Sequence, residues 1–176
     1  IYQGAVNKDR GLEEAILAMH KIHGATLVII GDGDIKPKLE RLAEKEGIKE
    51  KIIFAGRVPF DQLHHYTIHA DLGIALEKDT NLNYRYSLSN KLFDYIHAGI
   101  PILTSSLPET EMLFERYDLG ILIKGHAIET IAGKMKEMLE DNEQCNSWKG
   151  QARLAAKEYC WEKESVKLLA ILDKIR

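Results

Sequence analysis

Several features that would narrow a protein's function at once are scarce in this sequence. It has two cysteines in 176 residues, and Cys145 and Cys160 show neither metal-ligand spacing nor a catalytic setting. We expect both to be reduced thiols, although two cysteines leave a disulfide open. Apolar runs are too short to span a bilayer, and no signal peptide is present. The net charge of −3 gives no reason to expect nucleic acid or an anionic membrane as the main partner.

The sequence also lacks an initiating methionine, and residues 1–4 read as the end of a strand. We therefore expect an excised domain of a cytoplasmic protein. A length of 176 residues fits one domain of ordinary size. The hydrophobic fraction of 45% and the charged fraction of 29% are typical of a globular protein. Residues 1–176 are accordingly predicted to form a single domain.

Short apolar segments alternate with amphipathic segments along most of the chain. Residues 25–30 form a continuous apolar, β-branched run, which is typical of a strand covered on both faces. The predicted strands are residues 1–3, 25–30, 51–55, 72–76, 102–104 and 120–123, and the predicted helices are 11–23, 35–46, 60–69, 90–98, 109–115, 127–140, 142–159 and 162–175. This alternation predicts an α/β fold, a Rossmann-like doubly wound parallel sheet of about six strands with helices on both faces and a helical C-terminal tail.

The most informative stretch is residues 87–104, a polar loop that leads into a helix and then a buried strand. Ser89 is a suitable N-cap, and Gly99 a suitable helix stop. A helix N-terminus suits an anionic ligand, to which Lys91 would add charge for a phosphate, while Asp94 could accept hydrogen bonds from a ribose diol. An ordinary crossover helix with a solvated face is the alternative. The expected buried stripe is Leu92, Phe93 and Ile96, and the expected polar stripe is Ser87, Asn90, Lys91 and Asp94.

Three more loops follow predicted strands and should meet this stretch at the carboxyl edge of the sheet, where open parallel sheets bind ligands. Residues 4–11 carry Lys8 and Arg10 but contain neither a GxGxxG nor a P-loop motif. Residues 31–33 are interpreted as a turn that needs positive φ. Residues 56–59 begin with a glycine, which lets a flat group approach the backbone.

Other polar clusters give weaker signals. His64, His65 and His69 include an i, i+4 pair, but no further ligand accompanies them, so we interpret them as surface residues and predict no metal site. Asp32, Asp34 and Glu109 could pair as carboxylates only if the fold brings them together.

The sequence resembles the C-terminal domain of GT-B glycosyltransferases, in particular the retaining family 4 group. The resemblance extends over nearly the whole chain and is carried by four stretches: YQGAVNKDRGLEEAI, LVIIGDGD, IIFAGRVPFDQLHHYTIHADLGIAL and SLSNKLFDYIHAGIPILTS. The last is the most specific. The resemblance implies a nucleotide-diphosphate sugar as donor substrate and no separate cofactor.

The resemblance also implies roles for individual residues. Arg10 matches the basic residue that grips the donor diphosphate, and Asp94 matches the ribose-binding acid, with aspartate in place of the more usual glutamate. Arg10 and Lys91 would stabilise the leaving group, and no other catalytic residue is expected in this domain. The full set of expected donor-binding residues is Gly4, Arg10, Gly56, Arg57, Val58, Ser87, Ser89, Asn90, Lys91 and Asp94; in it, Gly56 to Val58 meet the base, and the backbone amides of Asn90 and Lys91 hold a phosphate.

Two positions depart from the family pattern. Ala5 stands where many members have a basic residue, and Tyr86 stands where the first of two signature acids would meet the donor sugar. The implied function is the donor-binding half of a retaining glycosyltransferase for polysaccharide or other glycan synthesis. An absent N-terminal domain would recognise the glycan or lipid-linked acceptor and provide any contact with the inner face of the membrane. A non-catalytic nucleotide-binding module, which Ala5 and Tyr86 favour, a GT-B-fold nucleotide-sugar epimerase and a receiver-like signalling domain are the alternatives.

Overall fold

The computed structural model describes residues 1–175 and shows six parallel strands among nine helices within that range. The strands are β1 (Tyr2–Gln3), β2 (Leu27–Ile30), β3 (Ile52–Gly56), β4 (Gly73–Ala75), β5 (Ile102–Ser105) and β6 (Gly120–Ile123). The helices are α1 (Leu12–Ala18), α2 (Lys36–Lys45), α3 (Phe60–Thr67), α4 (Leu82–Tyr86), α5 (Asn90–Ala98), α6 (Pro108–Arg116), α7 (Ile128–Glu140), α8 (Asn142–Ala156) and α9 (Trp161–Asp173).

The strands form two parallel groups, β1-β2-β3 and β4-β5-β6, which meet at β1 and β4. The Ile74 backbone N–H donates to the Ile1 carbonyl at 2.9 Å and joins the two groups. The spatial order is therefore β3-β2-β1-β4-β5-β6, in which the chain reverses its direction of winding between β1 and β4. This confirms the predicted doubly wound α/β fold and places its switch point beside β1 and β4.

Two buried clusters hold the helices against the sheet. Leu12 and Ile16 of α1 pack with Leu39 of α2 and Met135 of α7 in one cluster. The second cluster joins α5, β5, α6 and α8, and its main members are Leu92, Tyr95, Ile96, Ile102, Leu113 and Ala152. Because α5 buries Leu92 and Ile96 completely, its register is fixed, and so is the direction in which its polar residues point.

Most elements agree with the sequence prediction to within a few residues, but three details differ. Residues 77–86, predicted as a polar loop after the strand 72–76, contain α4, which Asn81 caps by accepting a 2.9 Å hydrogen bond from the Tyr84 N–H. Phe93, expected on the buried stripe, is half-buried, whereas Tyr95 is fully buried. The helix α9 buries none of its side chains. In residues 1–175, no helix has both the length and the apolar character that a bilayer crossing requires.

Candidate functional site

The loops that follow β1, β2, β3 and β4 meet at the carboxyl edge of the sheet, as the sequence predicts. The Gly4 N–H donates to the Ile30 carbonyl at 2.9 Å, and the Gly31 N–H donates to the Gly56 carbonyl at 2.7 Å. On the other side, the Lys78 N–H donates to the Asp9 carbonyl at 2.9 Å. Backbone hydrogen bonds therefore join four loops at the switch point of the fold.

Gly31 makes the closest approach in this group of loops. Its φ of +137° lies in a region that side chains rarely allow, which confirms the expected positive-φ turn. A Cβ at this position would lie 1.8 Å from the Gly4 carbonyl oxygen. The first and second loops can therefore pack together only if residue 31 has no side chain.

A buried carboxylate, Glu77, brings the two predicted cations together. The Arg10 Nη1 lies 3.0 Å from the Glu77 Oε1, and the Lys91 Nζ contacts the same oxygen. Glu77 and Lys91 are 7% and 6% exposed, so water screens this contact little. Arg10 also stacks on Tyr84, with its guanidinium carbon 4.6 Å from the ring centroid. These three side chains together carry one net positive charge.

Burial and charge shift the protonation of this cluster in a consistent way. Burial raises the pKa of Glu77, but the charges of Lys91 and Arg10 outweigh it and hold that pKa below its ordinary value. Burial lowers the pKa of Lys91, and the charge of Glu77 opposes this only in part. A further anion beside Lys91 would favour its charged form. Arg10 also has a buried Nε with no hydrogen-bond partner among residues 1–175.

The sequence interpretation missed Glu77 and did not predict the burial of Lys91. The pattern places Glu77 at the start of a polar loop, although an acid that directly follows the buried strand β4 falls at the ligand-binding edge. Lys91 belongs to the predicted polar stripe of this helix, and the structure buries its side chain. The reason is that Glu77 supplies a buried partner, a contact between distant segments that helical periodicity does not reveal.

The N-terminus of α5 lies beside this cluster. Ser89 occupies the N-cap position as predicted, but its side chain makes no capping hydrogen bond. Its hydroxyl instead accepts a 3.0 Å hydrogen bond from the Lys91 Nζ. Within residues 1–175, the backbone N–H groups of Asn90 and Lys91 have no acceptor. Gly4 lies against the same lysine, since a Cβ there would be 3.8 Å from the Lys91 Cε.

Asp94 lies one turn further along α5, and a side chain of β1 holds its carboxylate. The Gln3 Nε2 donates to the Asp94 Oδ2 at 2.7 Å, and the Thr67 hydroxyl lies 2.7 Å from the Gln3 Oε1. Both supporting side chains are buried, with Gln3 2% exposed and Thr67 1% exposed. Asp94 itself is half-buried and is therefore open to a ligand on one side.

The remaining predicted residues lie at the rim of the site. Gly56 has a φ of +71°, and a Cβ there would meet no atom within 4 Å, so the backbone is accessible. The Arg57 side chain is 83% exposed, with its Nε 3.7 Å from the Asp32 Oδ2, and Val58 is half-buried. Ser87 is half-buried just after α4.

Tyr86, at the position of the first signature acid, is 57% exposed. The Arg85 guanidinium carbon lies 5.7 Å from the centroid of its ring. No carboxylate replaces the missing acid at this position.

The other polar clusters do not form a site. Asp32 and Asp34 follow β2, whereas Glu109 follows β5, three strand positions away, which corresponds to about 14 Å. The carboxylate pair is therefore not formed. His64, His65 and His69 are exposed on or just after α3, which confirms their surface position. Among residues 1–175, no group of three or more potential metal ligands comes together.

A large cleft of about 1240 Å³ lies at the opposite edge of the sheet. It is lined by residues at the amino ends of β2 and β4, among them Ala25, Thr26 and Leu72. None of the residues expected to bind the donor lines it. Its size reflects open space between helices, whereas the clustered charges lie at the carboxyl edge.

The topology and the loops at its switch point define the chain as a Rossmann-like domain. The family model for "Glycosyl transferases group 1" matches residues 1–155. The chain therefore belongs to the group 1 glycosyltransferase family, and its fold is that of a C-terminal GT-B domain.

Three proteins are similar to this chain, two in sequence and one in fold. An uncharacterized glycosyltransferase of Methanocaldococcus jannaschii is 27% identical over 80% of this chain and 35% of its own length. A GDP-mannose-dependent alpha-(1-6)-phosphatidylinositol monomannoside mannosyltransferase of Mycobacterium tuberculosis is 21% identical over 86% of this chain and 40% of its own length. The crystal structure of Anabaena HepE in complex with UDP superposes with a TM-score of 0.85 at 13% sequence identity. The superposition covers 98% of this chain and 48% of the HepE chain. The chain thus spans less than half the length of each.

Proposed function

We propose that this chain is the donor-binding half of a retaining glycosyltransferase. It would hold a nucleotide-diphosphate sugar while the sugar is transferred to a glycan or lipid-linked acceptor during polysaccharide or other glycan synthesis. The observation that carries the proposal is the pair of cations, Arg10 and Lys91, held on Glu77 beside the uncapped start of α5. One net positive charge and free backbone amides at one point suit a diphosphate.

The chemistry explains why this charge would matter. Transfer breaks the bond between the anomeric carbon and the diphosphate oxygen, and the departing nucleoside diphosphate gains negative charge. Positive groups and N–H groups of the protein that are fixed where that charge develops stabilise the transition state more than the ground state. Arg10 is stacked on Tyr84 and Lys91 is buried, so both would act without large rearrangement. The bond to the acceptor would form with retained anomeric configuration, as the resemblance to family 4 implies.

The other contacts follow from the position of each residue at the edge of the sheet. Asp94 lies one turn beyond the phosphate-binding amides and would accept hydrogen bonds from the ribose. The accessible backbone at Gly56 to Val58 would meet the base. Tyr86 offers no carboxylate to the sugar, so sugar recognition would depend on other contacts. The second domain would form the opposite wall of the cleft and bind the acceptor.

Nucleotide binding tests the proposal directly. The mannosyltransferase relative is named for GDP-mannose, and the HepE structure contains UDP, so nucleotides with different bases have to be compared. Isothermal titration calorimetry with UDP, GDP and ADP, alone and as sugar conjugates, should detect binding of at least one nucleotide. The Asp94→Ala variant should bind it about tenfold more weakly, because one or two ribose hydrogen bonds are lost.

A matched control separates this effect from a general loss of an acid. Asp173 is exposed on α9, and the Asp173→Ala variant should bind with unchanged affinity. If the wild type binds none of the nucleotides, or if Asp94→Ala binds as tightly as the wild type, the donor-site assignment is wrong.

A non-catalytic nucleotide-binding module is the second candidate function. The specific observation in its favour is the exposed Tyr86 where the sugar-contacting acid is expected, together with Ala5 in the first loop. Such a module would still bind the nucleotide through Arg10 and Lys91. Sugar transfer by the longer protein distinguishes the two functions.

A further inference from the structure

A buried chain of hydrogen bonds leads from α3 through β1 to the proposed ribose-binding acid. Thr67, in the last turn of α3, lies 2.7 Å from the Gln3 Oε1, and the Gln3 Nε2 lies 2.7 Å from the Asp94 Oδ2. Thr67 and Gln3 are buried, so water does not compete for these hydrogen bonds. Neither residue belongs to the set expected to touch the donor.

The chemistry of the three groups fixes the direction of the chain. An ionised carboxylate only accepts hydrogen bonds, so Gln3 must turn its NH₂ group to Asp94. Its carbonyl oxygen then faces Thr67, whose single hydroxyl proton must be donated to it. The Thr67 hydroxyl also lies 3.0 Å from the Leu63 carbonyl, so the contact with Gln3 at 2.7 Å is the shorter of two that share its proton. Asp94 therefore determines the orientation of both supporting side chains, and they in turn hold its carboxylate.

This arrangement leaves one part of Asp94 free. Its Oδ2 is occupied by Gln3, whereas its Oδ1 accepts no hydrogen bond from any residue in the range 1–175. A carboxylate pinned at one oxygen presents the other in a fixed direction, which reduces the entropy lost when a hydroxyl binds. The short aspartate side chain makes this support more important, because a small rotation would take the free oxygen out of reach.

We infer that Gln3 and Thr67 are positioning residues that make Asp94 selective for a ribose over a deoxyribose nucleotide. This inference rests on the proposed donor site. Asp94 is the residue that would touch the ribose, Gln3 fixes its carboxylate, and Thr67 fixes the amide of Gln3. The preference for the hydroxylated sugar should then depend on two buried residues that never contact it.

Paired nucleotides measure this preference separately from overall affinity. The probes are UDP with 2′-deoxy-UDP and GDP with 2′-deoxy-GDP, and the quantity is the ratio of the two dissociation constants in each pair. The variants are Gln3→Met, which keeps the length but removes the amide, and Thr67→Val, which keeps the shape but removes the hydroxyl. Thr67→Ser restores the hydroxyl, and Gln62→Met changes an exposed glutamine of α3 as the matched control.

We expect the wild type, Thr67→Ser and Gln62→Met to prefer the ribonucleotide by about tenfold, the effect of one ordinary hydrogen bond. In Gln3→Met and Thr67→Val the ratio should fall to about twofold or less on the same basis. If the two residues had a purely structural role, the variants would instead have lower melting temperatures and would bind both nucleotides of a pair more weakly by the same factor. Melting temperatures identify any variant that fails to fold, and the other variant then carries the test.

The failures of the two proposals can be told apart. If the wild type binds neither nucleotide pair, the donor-site proposal is wrong and this inference falls with it. If the wild type binds but shows no preference for ribose, or if folded Gln3→Met keeps the full preference, the positioning role alone is overturned.

Discussion

At the scale of single residues, the candidate site is built around a buried acid, Glu77. Glu77 shares one oxygen between Arg10 and Lys91 and so holds two like charges close together. Removing one member of a buried ionic cluster leaves uncompensated charge, and this usually costs more than the intact cluster contributes. The stability of the fold thus depends on keeping the two cations of the proposed diphosphate site paired with Glu77.

Replacing Glu77 by glutamine should destabilise the domain by about 3 kcal/mol at neutral pH, because Lys91 and Arg10 lose their shared counter-charge. The two cations hold the pKa of Glu77 below its ordinary value of 4.5 despite burial. A carboxyl group whose pKa is lower in the folded state stabilises fully above the unfolded pKa, and this stabilisation is lost as pH falls through the folded pKa. The difference in unfolding free energy between wild type and Glu77→Gln should therefore narrow in acid.

Urea unfolding at about pH 7 and at about pH 3 measures the difference in unfolding free energy between wild type and Glu77→Gln at each pH. Glu44→Gln is the control, since Glu44 pairs with Lys49 at 2.6 Å on the exposed surface, and this change should have no measurable effect. A Glu77→Gln deficit that stays constant across this pH range would contradict the ionic role assigned to the acid.

At the scale of elements, sequence patterns predicted most of what depends on local chemistry. The strand of residues 120–123 was predicted with its observed bounds, and α5 lies between its predicted cap and stop at Ser89 and Gly99. The short α4 was missed because its five residues, LNYRY, alternate apolar and polar side chains and so show no helical periodicity, although Asn81 is a recognisable cap. The contacts of Glu77 with Lys91 and of Gln3 with Asp94 could not be predicted, since each joins segments that only the fold brings together.

The packing of the first two βα loops gives a test at this scale. Gly31→Ala should destabilise the domain by about 3 kcal/mol or more, because a Cβ would overlap the Gly4 carbonyl and the backbone has a φ of +137°. Gly133 in α7 is the matched position, with helical backbone and nothing within 4 Å of a Cβ. Gly133→Ala should leave stability equal or raise it by up to about 1 kcal/mol. Urea unfolding compares both variants, and near-wild-type stability of Gly31→Ala would show that the loops can separate.

At the scale of the whole molecule, the position of the site predicts that this domain needs a partner. The charged cluster and Asp94 lie at an open edge of the sheet, and the rim at Gly56 and Arg57 is exposed. Catalysis by charge stabilisation needs a site from which water is largely excluded. The chain spans less than half the length of its relatives, so those proteins contain further residues outside the matched region.

We therefore expect the 176-residue chain to bind the nucleotide weakly and to transfer no sugar, while a longer protein that includes it transfers sugar from the preferred donor. Product formation with UDP- and GDP-sugars measures transfer, and NMR of the product determines the anomeric configuration. In the longer protein, Lys91→Met should lower the rate about a hundredfold through lost leaving-group stabilisation, whereas Lys157→Met, on an exposed lysine, should not. Efficient sugar transfer by the 176-residue chain alone would refute the need for a second domain to close the site. Nucleotide binding without transfer by the longer protein would instead favour the non-catalytic module.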